Sequence, residues 1–308
     1  MDMTLGIKVG LQKQSYLDLA QTNAPFAEVW FNVSQADDYT ALFDTLKQRH
    51  MQVGLHFWGA LSDGTWTNIA YPDTDLINES LSMIKKTIDI AAQNKFQYVN
   101  IHPGCAARVG IDFKKTRMDL RSAPILFEQS IPLFVQNALV LHEYAQTRGI
   151  VFTVETLPAR VVKGWYDHAA RANPAMIMNV YELPITALEA AATAGLWIAN
   201  DFGHTAAIPT DNLTELWKYL KAKTINLAPQ TRLIHLGFVT PPFNGTDIHN
   251  MLDPELLDSS DAMPNKQQMI ELLQLFQNHN DVWILTEPNG GHTENYFLAQ
   301  KILAEAFR

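Results

Sequence analysis

The stretch Ile-Ala-Asn-Asp-Phe-Gly-His-Thr at 198–205 is a short apolar run that breaks at Asp201 and places His204 three residues further on. A carboxylate and an imidazole leaving the end of a strand together offer a divalent cation one hard oxygen and one borderline nitrogen. The same spacing also suits a plainer role, in which the aspartate caps the helix that follows. Other apolar runs end in the same way. His56, His102, Glu155, His235 and Glu287 each stand at or beside the end of a β-type run, and Gly245-Thr-Asp-Ile-His249 reads as a turn presenting Asp247 and His249 at an i, i+2 spacing. A single strand-end His or Glu is ordinary, but six consecutive strand ends of this kind, with two short ligand pairs beside them, point to a common site. The set of four carboxylates and five imidazoles exceeds the needs of one tetrahedral zinc. It suits two or three divalent ions with Glu155 or another carboxylate bridging.

The elements that must position these residues alternate along the chain. Runs of β character at 5–10, 27–32, 51–56, 96–102, 150–155, 196–201, 232–235 and 282–287 are separated by longer connections. Segments of helical period lie at 37–50, 77–91, 123–147, 213–221, 266–277 and 294–307; in the second of these, Ile77, Leu81, Ile84, Ile88 and Ala91 share one face. Eight strands alternating with helices predict an α/β chain folded as one (β/α)8 TIM barrel over 1–308. In that architecture every strand opens its C-terminal end on one face, where barrel active sites sit. A doubly wound open sheet is the rival, and no glycine-rich dinucleotide fingerprint follows an early strand to favour it.

Composition narrows the partners. With 308 residues, 47% of them hydrophobic and 18% charged, the chain can bury one large core. A formal net charge of -9 argues against a general nucleic-acid coat, although bound cations would add positive charge locally. The lone Cys105 forms no internal disulfide, the first residues lack the basic and apolar regions of a secretory leader, and no apolar run is long enough to span a bilayer. These features predict a cytoplasmic protein with no membrane partner. Arg108, Lys114, Lys115, Arg117 and Arg121 after the fourth strand, with Arg160 and Lys163 after the fifth, either hold a phosphate or form a solvated loop with Asp112 and Asp119. Trp58, Trp66, Trp165 and Tyr166 either stack on a sugar or base or close loops over the barrel.

The order His56, His102-Pro-Gly, Glu155, Asp201-x-x-His204, His235, Asp247-x-His249, Glu287 at these strand ends resembles endonuclease IV, within the xylose isomerase-like barrel superfamily. Thr67-Asn-Ile-Ala-Tyr-Pro-Asp73, leading through a helix into Asn100-Ile-His-Pro-Gly104, is also similar to that family. The resemblance implies His56, His102 and Glu155 on one ion, Glu155 bridging to a second held by Asp201, His235 and Glu287, and His204, Asp247 and His249 on a third. It further implies a zinc-dependent hydrolase acting on a phosphoester. Three departures speak against duplex DNA as the substrate: Cys105-Ala-Ala where the nucleases have a further His, Ile248 where they have a basic residue, and the apolar 236–242 where they have a polar pair.

The sugar epimerases and isomerases of the same superfamily supply the alternative. They use one ion, manganese or magnesium, held by a quartet that Glu155, Asp201, His235 and Glu287 would provide, and Glu155 and Glu287 would move protons on either side of a carbon next to a carbonyl. Many such epimerases carry an Arg six residues after the seventh-strand His, where this chain has Pro241. The expected partner is a small phosphorylated or sugar-like substrate. A barrel that binds a ligand without turnover is the third reading.

Overall fold

A computed structural model describes residues 3–115, 117–162, 177–179, 182–246 and 249–308. The barrel is closed by eight parallel strands: β1 (Met3–Val9), β2 (Phe26–Asn32), β3 (Gln52–Trp58), β4 (Tyr98–Ile101), β7 (Val151–Glu155), β10 (Trp197–Asp201), β11 (Thr231–His235) and β12 (Val282–Leu285), with β1 paired to both β2 and β12. Each predicted strand is present, and closure excludes the open doubly wound sheet. Two antiparallel hairpins rise from the loops, β5 (Val109–Asp112) with β6 (Arg117–Leu120) and β8 (Arg160–Val162) with β9 (Ile177–Asn179). The first was expected only as a basic loop.

The six helical segments expected from sequence are present, with others beside them. Helix α1 (Lys13–Thr22), absent from the sequence reading, has no side-chain N-cap and little amphipathic patterning to announce it. Helix α2 (Thr40–Gln48) follows a 3-10 segment at Val33–Tyr39. In α3 (Thr74–Asn94), Asp73 caps the Leu76 N–H, and the buried face runs through Leu76, Ile84, Ile88 and Ala91. That face is rotated from the predicted one, leaving Ile77 and Leu81 half-buried. Then come α4 (Phe127–Gln146), α5 (Ile185–Thr193), the short α6 (Phe202–Ala206), α7 (Leu213–Leu227), α8 (Pro254–Leu257), α9 (Lys266–Gln274) and α10 (His292–Ala306). No described helix is long and apolar enough to cross a membrane.

Strand register stacks the barrel interior in layers, because alternate residues of each strand face the axis. Gly6 pairs with Phe26, and Gly54 with Tyr98; one step higher, Lys8 pairs with Glu28, His56 with Asn100, and Asp201 with His235. The lower layer is an aromatic floor in which Phe26, Tyr98 and Trp283 lie 5.0 to 6.4 Å apart between ring centres. The upper layer is almost entirely ionisable. A Cβ on Gly54 would lie 2.1 Å from the Tyr98 ring, so only glycine lets that ring lie across the axis. Gly54→Ala should therefore displace Tyr98 and lower stability by about 1–3 kcal/mol, the usual cost of overpacking a core. Chemical denaturation of the two proteins measures this, and an unchanged midpoint would show that the floor tolerates the methyl group.

Candidate metal centre

The upper layer gathers the predicted residues from six strands. His56 comes from β3, Glu155 from β7, Asp201 from β10 and His235 from β11, while His102 and Glu287 follow β4 and β12. His204 sits in α6, where its ring lies 5.5 Å from that of His249. Asp247, the third member expected with them, lies outside the described residues, as do Trp165, Tyr166 and Lys163. The structure also brings in Lys8, Glu28 and Asn100, which the sequence reading overlooked because it examined strand ends. Their signal was parity: Lys8 and Glu28 are charges set inside apolar runs at inward-facing positions.

Three groups bring one ligand atom per residue to within 4.8 Å of one another: His56, His102 and Glu155; Glu155, Asp201, His235 and Glu287; and Glu28, His56 and Glu287. The first two correspond to two of the ligand sets that the resemblance implied, and they share Glu155. Around His235 Nδ1, Glu155 Oε1 and Glu287 Oε2 both lie at 3.3 Å and Asp201 Oδ2 at 3.6 Å. None of these contacts has hydrogen-bond geometry: both His235 nitrogens, His56 Nε2, both His102 nitrogens and Glu155 Oε1 are buried without a hydrogen-bond partner. Buried polar atoms are rarely left so. Ligands about 2.1 Å from a common ion at tetrahedral or octahedral angles lie about 3.0 to 3.5 Å apart, close to the 3.3 to 3.6 Å that separate His235 Nδ1 from the three carboxylates. The donor set therefore fits a divalent cation.

Supporting contacts fix the ligands. Asp201 takes the capping role: Oδ1 accepts from the His204 backbone N–H at 2.8 Å at the start of α6, while Oδ2 faces His235 at 3.6 Å. His204 Nδ1 donates to the Thr156 carbonyl at 2.8 Å. Asn100 Nδ2 donates to Glu155 Oε2 at 2.5 Å and is itself oriented by Thr153 Oγ1 at 2.9 Å. Tyr98 Oη donates to Glu28 Oε2 at 2.7 Å.

Charge sets the protonation pattern. Burial would raise Glu155, Glu287 and Glu28, but cationic neighbours outweigh it and hold all three well below the usual carboxylate range: His235 and His56 for Glu155, His235 and Lys8 for Glu287, Lys8 and His235 for Glu28. Burial would lower Lys8 and His235, yet the carboxylates lift both. The Lys8 ammonium contacts Glu28 Oε1 at 2.5 Å, Glu287 Oε1, and His56 Nδ1 at 2.6 Å. Burial and Lys8 oppose protonation of His56 while Glu155, Glu28 and Glu287 favour it, and the net direction is upward. The 2.6 Å contact still requires a bare Nδ1, because an ammonium has only donors to offer.

Above the cluster is a cavity of about 440 Å³, with Trp30, Trp58 and Trp66 on one side and Glu182, Glu287 and His292 among its polar lining. Glu182, 3.7 Å from His102, was not anticipated from sequence. Trp58 and Trp66 stack at 5.8 Å, and His102 meets Trp58 edge-on at 4.9 Å. Three of the basic residues are ion-paired: Arg108 with Asp73 and Asp63, Arg121 with Asp63 while donating to Thr65, and Lys115 with Asp112. Cys105 is buried among Trp58, Trp66 and Val109, and that burial, with Glu182 nearby, pushes its thiol well up, so it is a packing residue.

A pH dependence follows from His235. A histidine whose folded-state pKa lies above its unfolded value adds stability that is complete below about pH 6.5 and is lost as pH rises through the folded value. Metal-free protein should accordingly melt at a lower temperature at about pH 9 than at about pH 6. A ligating divalent ion takes the proton's place and should remove that loss. Melting curves in chelator and in excess manganese test this; identical pH profiles in the two buffers would place His235 outside the metal site.

No protein-family profile and no curated protein matches the chain by sequence. Solved structures do resemble it. D-allulose 3-epimerase from Methylomonas sp. superposes with a TM-score of 0.65 at 10% identity, over 99% of this chain and 98% of that one. A D-tagatose 3-epimerase-like protein gives 0.62 at 16% identity, over 99% and 97%. Endonuclease IV from Thermus thermophilus gives 0.54 at 15% identity, over 98% and 99%. The fold is the closed (β/α)8 barrel that these epimerases and this nuclease also have.

Proposed function

We propose that this chain is a divalent-metal-dependent isomerase or epimerase of a small, uncharged, sugar-like carbonyl compound. The observation that carries the reading is the quartet of Glu155, Asp201, His235 and Glu287 beneath a cavity that is walled by tryptophans and has Lys8, already ion-paired, as the one lysine or arginine among its described lining residues. Aromatic walls suit the C–H faces of a sugar. A phosphorylated substrate or duplex DNA would call for free cations, and Lys8 is already engaged by Glu28 and Glu287. The epimerases among the structural neighbours favour the same reading.

A cation held by the quartet would polarise a substrate carbonyl and the hydroxyl beside it, acidifying the C–H between them. Glu287 lines the cavity, whereas Glu155 is sealed beneath it. We therefore assign the proton-moving role expected of both glutamates to Glu287 and a ligating role to Glu155. The ionised state of Glu287, held by His235 and Lys8, suits a proton acceptor. Glu182 supplies a second carboxylate on the cavity wall, beside the His102 that follows β4; β4 stands diametrically across the barrel from β12, so the two acids approach a ligand from opposite sides.

A second reading, phosphoester hydrolysis at two or more zinc ions, rests on the group of His56, His102 and Glu155, which shares Glu155 with the quartet. His56 can join it through Nε2 only by giving up its contact with Lys8 or carrying a negative charge, which weighs against that reading. Incubation of manganese-loaded protein with D-allulose or D-tagatose in D2O, followed by NMR, should show deuterium entering the carbon beside the carbonyl. Glu287→Gln should slow that exchange by about 100-fold or more, and Glu155→Gln should lower metal content. Absence of exchange on any ketose, together with cleavage of an abasic-site duplex by zinc-loaded protein, would replace the isomerase with the hydrolase.

A further inference from the structure

The third of the three ligand groups differs from the others in one respect. Glu28, His56 and Glu287 could converge on an ion, yet all three already share a partner, and it is a cation. Lys8 Nζ touches one atom of each: Glu28 Oε1, His56 Nδ1 and Glu287 Oε1. Its side chain arrives from inside the barrel wall, from the inward-facing position of β1 paired with Glu28 on β2, and is buried at the base of the cavity. The three donors of an ammonium match the three acceptors offered.

We propose that Lys8 is the built-in occupant of a metal site, its ammonium standing where a further divalent ion would otherwise bind between Glu28, His56 and Glu287. This rests on the preceding reading that the cluster holds divalent ions at all. The lysine excludes an ion in two ways. It fills the Glu28, His56 and Glu287 group directly, and by donating to His56 Nδ1 it leaves the ring proton on Nε2, the nitrogen that faces Glu155 in the neighbouring group. It thereby restricts ion binding to the quartet. Lys8 acts here as a positioning residue that sets the number of metal ions and the orientation of Glu287.

Metal counting tests the inference apart from turnover. Lys8→Met keeps the unbranched stem as far as Cε and removes the ammonium; after exposure to excess manganese and gel filtration, elemental analysis should find at least one more equivalent per chain than in the parent. Its melting temperature should also gain more from manganese than the parent's does. An equal count and an equal gain would overturn the proposal. Should Lys8→Met fail to fold without metal, the double variant Lys8→Met, Glu28→Gln decides the matter, because it removes the cation together with one of its two anions. A double variant that folds supports the lysine as a stand-in ion, and one that fails as the single does overturns it. A parent that takes up no manganese would sink the metal reading of the cluster, while the difference between variant and parent still judges Lys8.

Discussion

The structure is built around an excess of buried negative charge. Glu28, Glu155, Asp201 and Glu287 occupy one layer inside a closed barrel, where an isolated carboxylate would cost several kcal/mol or change its protonation. Only cations can hold them there ionised. Lys8 and His235 supply part of that charge from within the same layer, and the unpartnered imidazole nitrogens mark where more belongs. Breaking such a network by removing one partner costs far more than the net worth of any single contact, since it strands the charge opposite.

The layering that makes this possible comes from backbone register. Parallel strands bring inward positions to matching heights, so Lys8 stands beside Glu28 and Asp201 beside His235 without any loop having to arrange them. Side chains one step away then aim the ligands: Tyr98 holds Glu28, Asn100 holds Glu155, and Thr156 holds His204. Such outer contacts set ligand orientation and basicity as much as the ligands themselves do.

Much of this was legible in the sequence. The eight strands announce themselves as short apolar runs, and their chemistry stands out where those runs stop, as with His56, Glu155 and His235. Lys8 and Glu28 escaped notice because a charge within a strand reads as solvent-facing until closure turns that face inward. The hairpin Val109–Asp112 with Arg117–Leu120 escaped because its strands are four residues long and rich in charge. The basic loop could be read as a phosphate grip or as a salt-bridged surface, and for Arg108 and Arg121 it is the positions of Asp63 and Asp73, far back in the chain, that pair them.

The aromatic floor has a consequence for the order of events. Phe26, Tyr98 and Trp283 close the barrel below the cluster, so the cluster opens to the cavity above it. Whatever occupies the cluster enters before the ligand that settles above it and leaves after it. The occupants are stacked last in, first out, and a bound ligand is a stopper: while it stays, the deeper occupant exchanges with solvent no faster than the ligand departs.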